Sequence, residues 1–433
     1  MAKILMMKNL VKTLTLFLLL STLLGCGRIL NTQIADTLPP CVGKYSAETW
    51  SNCYGSVSLL AENEFKGDKY IGEWKNGNFN GRGTYYYLAE NKSKGDKYVG
   101  EWKNGEMFGL GTYYFLANNE FKGNIYFGEH NNGKPNGQGT YTFGSQSKFA
   151  GDKYIGEVKE GRPHGQGTYQ FSNGKKYVGE FKNGLTIGMG TLTFEGLQQF
   201  SSDIYVGEVV GGEPHGRGSY TWGPSSEFAG DTYEGEWRQG KKNGQGVYTL
   251  ANGNKYTGEF KNGKPHGDGM YTYGGSSKFS GDVYEGQFRD GIKHGQGAYK
   301  FGPISKKAGD VYIGRWKYGK PKGQGAHKFA NGNKFIGEFW AGTKNGQGTY
   351  VFGPNSKFAG DIFVGEVREE KPNGHGTYIF GPKSKYAGDI YVGQWKNGKK
   401  NGYGTYTFAD GSVREGIWIN NILYYDVRQS DQN

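Results

Sequence analysis

The sequence predicts an all-β fold built as a tandem array of β-hairpins, and three observations predict it. Glycine supplies 78 of the 433 residues, far above the usual ~7%, yet it lacks the every-third spacing of collagen. The 33 tyrosines and 26 phenylalanines argue against disorder, because disordered chains are poor in aromatics. A segment such as 70–87, "YIGEWKNGNFNGRGTYYY", sets glycines among large rings at alternating positions, and relatives of it recur almost to the end of the chain. Only 35% of residues are apolar, whereas soluble domains approach half. A large, deep core of the kind that an ordinary globular enzyme encloses is therefore not expected.

The first 25 residues are expected to serve targeting rather than the fold. Lys3, Lys8 and Lys12 precede an apolar run from Leu14 to Leu24, too short to span a bilayer but suited to the hydrophobic region of a secretory signal. The run ends in Leu23-Leu24-Gly25-Cys26. Here the sequence resembles a bacterial lipoprotein precursor, which implies cleavage before Cys26, lipidation of that cysteine and attachment to a membrane of the bacterial cell envelope. Gly27 stands where an aspartate would suggest inner-membrane retention, so the resemblance leans to the outer membrane. Residues 26–40 are expected to be a linker.

Cleavage lowers the net charge from +12 to +9. Outside the cytoplasm this balance points away from nucleic acid and toward anionic lipid headgroups or acidic glycans as direct ligands, or toward no charged ligand at all. Residues 41–69 read as an N-terminal cap with a half repeat. They hold the remaining cysteines, Cys41 and Cys53, in "CVGKYSAETWSNC". An exported chain would join such a pair as a disulfide, worth about 3 kcal/mol on the loop-entropy model; two buried thiols are the alternative. Neither cysteine has a histidine nearby in sequence, so neither reads as a nucleophile.

From Tyr70 the chain repeats, with starts at Tyr70, Tyr98, Tyr126, Tyr154 and Tyr177, and then in steps of 28, 28 and 23 residues as far as Tyr391. A degenerate last copy begins at Arg414 and keeps Gly416 and Trp418. The array is expected to fill 70–420, with a polar tail at 421–433. Short connections such as "SNGKK" and "ANGNK" carry the Asn-Gly of a two-residue hairpin turn. Long ones such as "FGSQSKFAGD" carry a ring, at Phe149, Phe358 or Tyr386, expected to fold back and pin its loop. Alternate residues of a strand share a face, so Tyr70, Gly72 and Trp74 point one way and Ile71, Glu73 and Lys75 the other. In the second strand Gly81, Gly83 and Tyr85 are expected on the ring face. The glycines then act as sockets: a ring lying across bare backbone buries about 150–250 Å², which outweighs the 0.5–1 kcal/mol cost of a glycine at roughly 25 cal/mol per Å².

These segments, with "YEGEWRQGKKNGQGVY" and "YVGQWKNGKKNGYGTY", resemble the MORN (membrane occupation and recognition nexus) repeat, whose pattern runs Tyr-x-Gly-Glu-Trp, a glycine turn, then Gly-x-Gly-x-Tyr. The resemblance covers Tyr70 to about Trp418 in thirteen nearly complete copies. It implies one elongated, twisted antiparallel sheet of successive hairpins. Departures are local. The third, sixth, ninth and twelfth copies carry His130, Val209, Phe288 and Val367 where tryptophan is usual.

Two recurring rows invite a chemical reading. His164, His215, His266 and His294 hold the same place in their copies, but equivalent positions in adjacent hairpins lie about 10 Å apart, whereas zinc ligands each sit ~2 Å from the metal. Asn80, Asn136, Asn243 and Asn373 hold that place elsewhere. The glutamates from Glu73 to Glu366 form a ladder in which Gln287, Arg315 and Gln394 substitute, which suits hydrogen bonding better than acid/base work. No nucleophile elbow or phosphate-cradling loop appears. The sequence thus leads to no catalytic, cofactor or metal site, and to a membrane-anchored scaffold that binds another protein or itself; direct recognition of anionic lipid or acidic glycan through basic turns and the aromatic groove is the alternative.

Overall fold

The structure is a computed structural model and describes residues 38–60, 62–195, 202–275 and 278–427. The leader and Cys26 lie outside the described residues. Every regular element named among these is a strand, twenty-nine from Cys53 to Asp426. The chain divides into two compact units, Met1–Lys134 and Pro135–Asn433. In each, successive strands pair antiparallel with their sequence neighbours, which is the hairpin-after-hairpin fold the repeats predict.

In the first unit, β1 (Cys53–Ser58) pairs with β2 (Lys69–Lys75), and β2 pairs with β3 (Asn78–Tyr86). Asn76 and Gly77 make the turn between β2 and β3, both with positive φ, at 50° and 69°. Asparagine and glycine tolerate that region, and the primed turn matches the right-handed twist of the strands. The burial of β2 alternates as its sequence does, with Tyr70, Gly72 and Trp74 inside. The stretch before β1 closes the end of this unit. Cys41 and Cys53 are bonded, with their Cα atoms 5.0 Å apart. Trp50 packs edge-on against Trp74, with centroids 5.1 Å apart, and its Nε1 donates to the Val42 carbonyl.

The second unit repeats the β2–β3 hairpin in both connection lengths. In the long connections Phe149, Phe358 and Tyr386 pack on Phe143, Phe352 and Phe380, with centroids 5.4, 5.4 and 5.5 Å apart. Each loop ring therefore rests on the ring that opens its own loop. One boundary differs from the sequence expectation. Ile422–Asp426, assigned to the polar tail, is a strand paired with Val413–Ile419, because Ile422, Leu423 and Tyr425 continue the degenerate copy's second arm.

Candidate functional site: what the repeating side chains are used for

The ring face is a layer of interlocked aromatics. Tyr70, fully buried, lies edge-to-face between Trp74 of its own hairpin and Trp102 of the next, with centroids 5.3 Å from each. Its ring covers the paired glycines Gly72 and Gly83. A Cβ added to Gly83 would stand 2.2 Å from the Tyr70 hydroxyl oxygen and 2.4 Å from Cζ. The tyrosine hydroxyl donates to the Glu73 carbonyl at 3.1 Å, and the Trp102 Nε1 donates to the Gly83 carbonyl at 3.3 Å. Ring-in-socket packing holds as expected for these two glycines, with one refinement: the ring belongs to the same hairpin as its socket.

Gly81 differs from the expectation. It has φ +76°, and the space its Cβ would take is filled by the Glu73 carboxylate, 2.1 Å away. The register of the hairpin shifts here, with Gly72 opposite Gly83 but Trp74 opposite Phe79. Gly81 is thus the left-handed residue of a β-bulge, a conformation that favours glycine, and it faces a carboxylate rather than a ring.

That arrangement explains the glutamate ladder. Glu157 and Glu208 accept the backbone N–H of Gln166 and Arg217, each at 3.1 Å, so the side chain satisfies an amide that the bulge leaves unpaired. Gln287 and Gln394 offer an amide oxygen to the equivalent N–H groups of Gln296 and Tyr403, at 3.1 and 2.9 Å. Glutamine therefore substitutes freely. Arg315 has no acceptor, and only its aliphatic stem approaches Gly323. The four histidines sit at the same bulges, where their backbone carbonyls accept a tyrosine hydroxyl, as Tyr205 donates to His215 at 3.0 Å. Among the described residues no group of three or more His, Cys, Asp or Glu is placed to hold a metal ion. The tryptophan replacement His130 is buried between Tyr98 and Tyr126. Burial lowers its pKa to about 4, so it is neutral at physiological pH.

Two rows of buried or half-buried polar side chains escaped the sequence reading. The first is an aspartate two residues before the repeat tyrosine. Asp68, fully buried, accepts the Tyr85 hydroxyl at 2.7 Å and the amides of Leu88 and Ala89 at 2.6 and 2.7 Å. Asp152 and Asp203 do the same for Tyr169 and Tyr220, and Asp310 binds His327 Nε2 at 2.9 Å. Asn254 and Asn333 accept the corresponding amide in short connections. The signal was present in the sequence as the "GD" ending the long loops and the "GN" of the short ones. The partner tyrosines have pKa values raised first by burial and then by the adjacent carboxylate.

The second row is lysine. From Thr232 to Thr407 the residue opposite the fifth-position side chain alternates, with Lys242, Lys293, Lys344 and Lys400 in every other hairpin and Pro265, Pro321 and Pro372 between. Each lysine lies among rings. The Lys242 Nζ stands 3.9 Å from the Tyr248 centroid and 5.0 Å from that of Trp222, and Lys400 is 4.3 Å from Trp418. Lys293 donates to the Tyr273 hydroxyl at 3.1 Å, and Lys344 lies 3.5 Å from Glu370. Burial pushes Lys242, Lys293 and Lys400 down to about 8 from the ordinary 10.5, against the attraction of Asp231, Asp282 and Asp389 respectively.

The opposite face projects into solvent and mixes aliphatic with charged groups. Ile155, Val206, Ile313, Ile336 and Val364 are between 44% and 49% exposed, in strands whose other outward residues include Glu157, Lys159, Arg315, Lys317 and Arg368.

A family model for the MORN repeat matches residues 70–87, 98–115, 126–148, 154–176, 177–196, 205–226, 233–255, 256–278, 284–303, 312–334, 335–357, 363–385 and 391–413. A search of curated proteins found no match. Among solved structures, the chain is similar to the SAS-4 (dCPAP) TCP domain of Drosophila melanogaster, solved in complex with a proline-rich motif of Ana2 (dSTIL), at 13% identity over 40% of this chain and 84% of that one, with a TM-score of 0.25. It is also similar to a streptogramin B lyase at 12% identity, over 66% of this chain and 83% of that one, with a TM-score of 0.12. Superpositions this loose carry no argument. The hairpins, the bulge glycines and the socketed rings recur in step with segments that the family model matches over well over half of the sequence, and the chain belongs to the MORN repeat family.

Proposed function

We propose that this chain is a non-catalytic scaffold, anchored by a lipid on Cys26 to a membrane of a bacterial cell envelope, whose outward repeat face binds another protein or a further copy of itself. MORN repeat proteins are generally non-catalytic, and one observation in this chain carries the reading furthest. Side chains that recur with catalytic chemistry are committed to the fold: ladder glutamates accept bulge amides, and the aspartates accept tyrosine hydroxyls and loop amides. What the array offers a partner is its outward face, an extended surface of the kind repeat proteins use for binding. The leader ending at Cys26 supports the anchor, and the bonded pair Cys41–Cys53 suits an oxidising compartment.

The test has two arms in a bacterial host carrying the full-length gene. The wild type should take up a labelled fatty acid and sediment with membranes, whereas Cys26→Ser should do neither. Crosslinking of the lipidated wild type should then give a protein adduct. A wild type that stays soluble and unlabelled overturns the anchor. Crosslinks to lipid or glycan without a protein adduct would replace protein binding by direct recognition of anionic envelope components.

A further inference from the structure

In the second unit, four departures from the repeat pattern meet on one patch of the outward face. Ten copies have glutamate at the ladder position and two have glutamine, but Val311–Lys317 has Arg315. The first residue of its turn, asparagine in six of the thirteen copies, is Tyr318, 75% exposed and held at φ 52°. A bulky side chain rarely adopts that backbone conformation. At the bulge position, where asparagine or histidine is usual, Lys320–Lys328 has Lys322. In the neighbouring strand, Lys334–Trp340, the place commonly held by lysine or arginine is Trp340, 58% exposed.

The four positions lie on three consecutively paired strands and on one of their turns. Lys322 Nζ lies 3.8 Å from the Trp340 centroid, and Lys317 Nζ lies 5.3 Å from that of Tyr318. Lys317 is paired across the hairpin with Lys320, and Arg315 packs its stem on Gly323. Residues 311–328 contain five cations, Arg315, Lys317, Lys320, Lys322 and Lys328, and no acid. The nearest ladder carboxylate, Glu338, is engaged with the Gln347 amide at 3.3 Å. Drift in an array of this length would scatter; here a lost carboxylate, two gained cations and two exposed rings adjoin one another.

We infer that this patch, centred on Arg315, Lys322, Tyr318 and Trp340, is the docking site of an extended acidic segment of a partner protein. The inference rests on the scaffold reading above and names the chemistry of its partner. Charge complementarity sets the sign of the ligand. Pitch sets its class: Arg315 and Lys317, like Lys320 and Lys322, are alternate residues of one strand, so their side chains repeat every ~6.6 Å, the spacing of alternate side chains on an extended peptide. An arginine fork takes a carboxylate by two parallel hydrogen bonds, and the exposed rings supply the apolar contact that anchors an interface. The strand Val311–Lys317 is paired on both sides, so the segment lies across the face through its side chains and adds no strand.

The test titrates the full mature chain with a fluorescent ten-residue peptide of alternating glutamate and serine, and with a block peptide of the same composition. A variant restoring the pattern of the other copies, Arg315→Glu, Tyr318→Asn, Lys322→Asn and Trp340→Lys, keeps the fold, because each replacement already stands at that place elsewhere; an unchanged melting curve verifies it. Lys261→Glu, an outward position two hairpins before that of Arg315, matches the change in net charge. Binding of the alternating peptide is expected to weaken about tenfold or more in the restored variant, to stay within twofold in Lys261→Glu, and to exceed that of the block peptide. Equal loss in both variants, no loss in the restored one, or no preference for the alternating peptide overturns the inference. So does selective, patch-dependent binding to phosphatidylglycerol vesicles with none to either peptide. A protein adduct in the crosslinking experiment that survives restoration of the pattern would leave the scaffold reading standing while removing this site.

Discussion

At the residue scale the fold depends on small side chains under large ones. Gly83→Ala puts a Cβ into the Tyr70 ring, whose hydroxyl already binds the Glu73 carbonyl and cannot swing aside. The cost is expected at about 1–3 kcal/mol, the usual range for overpacking, read as a lower denaturation midpoint with unchanged m-value. The caged lysines give the array a pH dependence of unusual sign. Lys242, Lys293 and Lys400 titrate near 8 when folded and near 10.5 when unfolded. Below 8 both states are charged and the burial penalty is fully present; between 8 and 10.5 the unfolded chain holds more protons, so stability rises with pH. The buried tyrosines oppose this at higher pH, since hydroxyls held above their ordinary value stabilise the fold below pH 10 and lose that contribution as pH rises past it. Thermal unfolding should therefore shift upward from pH 8 to about 10 and turn downward beyond. A Lys242→Met, Lys293→Met, Lys400→Met variant should lose the rise.

At the element scale a buried carboxylate ties most hairpins after a long connection to the next connection. Asp282 accepts the Tyr299 hydroxyl and the Gly302 amide, so Asp282→Ala leaves two buried groups unsatisfied, at about 1–3 kcal/mol each. Asp282→Asn should cost less, because Asn254 and Asn333 accept the same amide in short connections. Amide exchange across residues 282–302 distinguishes the two variants. Ring size should also matter. Tyr205 and Val209 belong to a copy without tryptophan, whereas Tyr233 packs on Trp237 at 5.1 Å. The strand Ile204–Val210 is expected to exchange faster than Thr232–Arg238; equal protection would show that Trp237, which also reaches Tyr205 at 5.4 Å, supports both. Strand and turn placement was legible because period-two alternation and Asn-Gly turns act locally. The tyrosine–aspartate bond was not, because its partners are separated by 17 residues in sequence and meet only once the loop has closed.

At the scale of the whole molecule, stability in a repeat array is close to a sum over neighbours, so damage should stay local. Reducing the Cys41–Cys53 bond releases a short loop worth about 3 kcal/mol. Faster exchange is expected in β1 and β2, with protection in the second unit unchanged; uniform loss would show cooperativity beyond nearest neighbours.

Sequence by itself determined the fold class, the number and length of the copies, and which faces their side chains take, because a repeat in which glycine alternates with aromatics permits little except paired strands. It also separated one glycine role, a socket under a ring, but assigned Gly81 to the same role on parity alone. Only the tertiary structure showed that parity breaks at the bulge, where the Glu73 carboxylate occupies the place of a side chain. The structure likewise decided that the glutamates cap amides, that aspartates bind tyrosines and that lysines sit among rings. Each of these depends on which side chains the closed hairpins bring within reach of one another, and spacing along the chain does not carry that information.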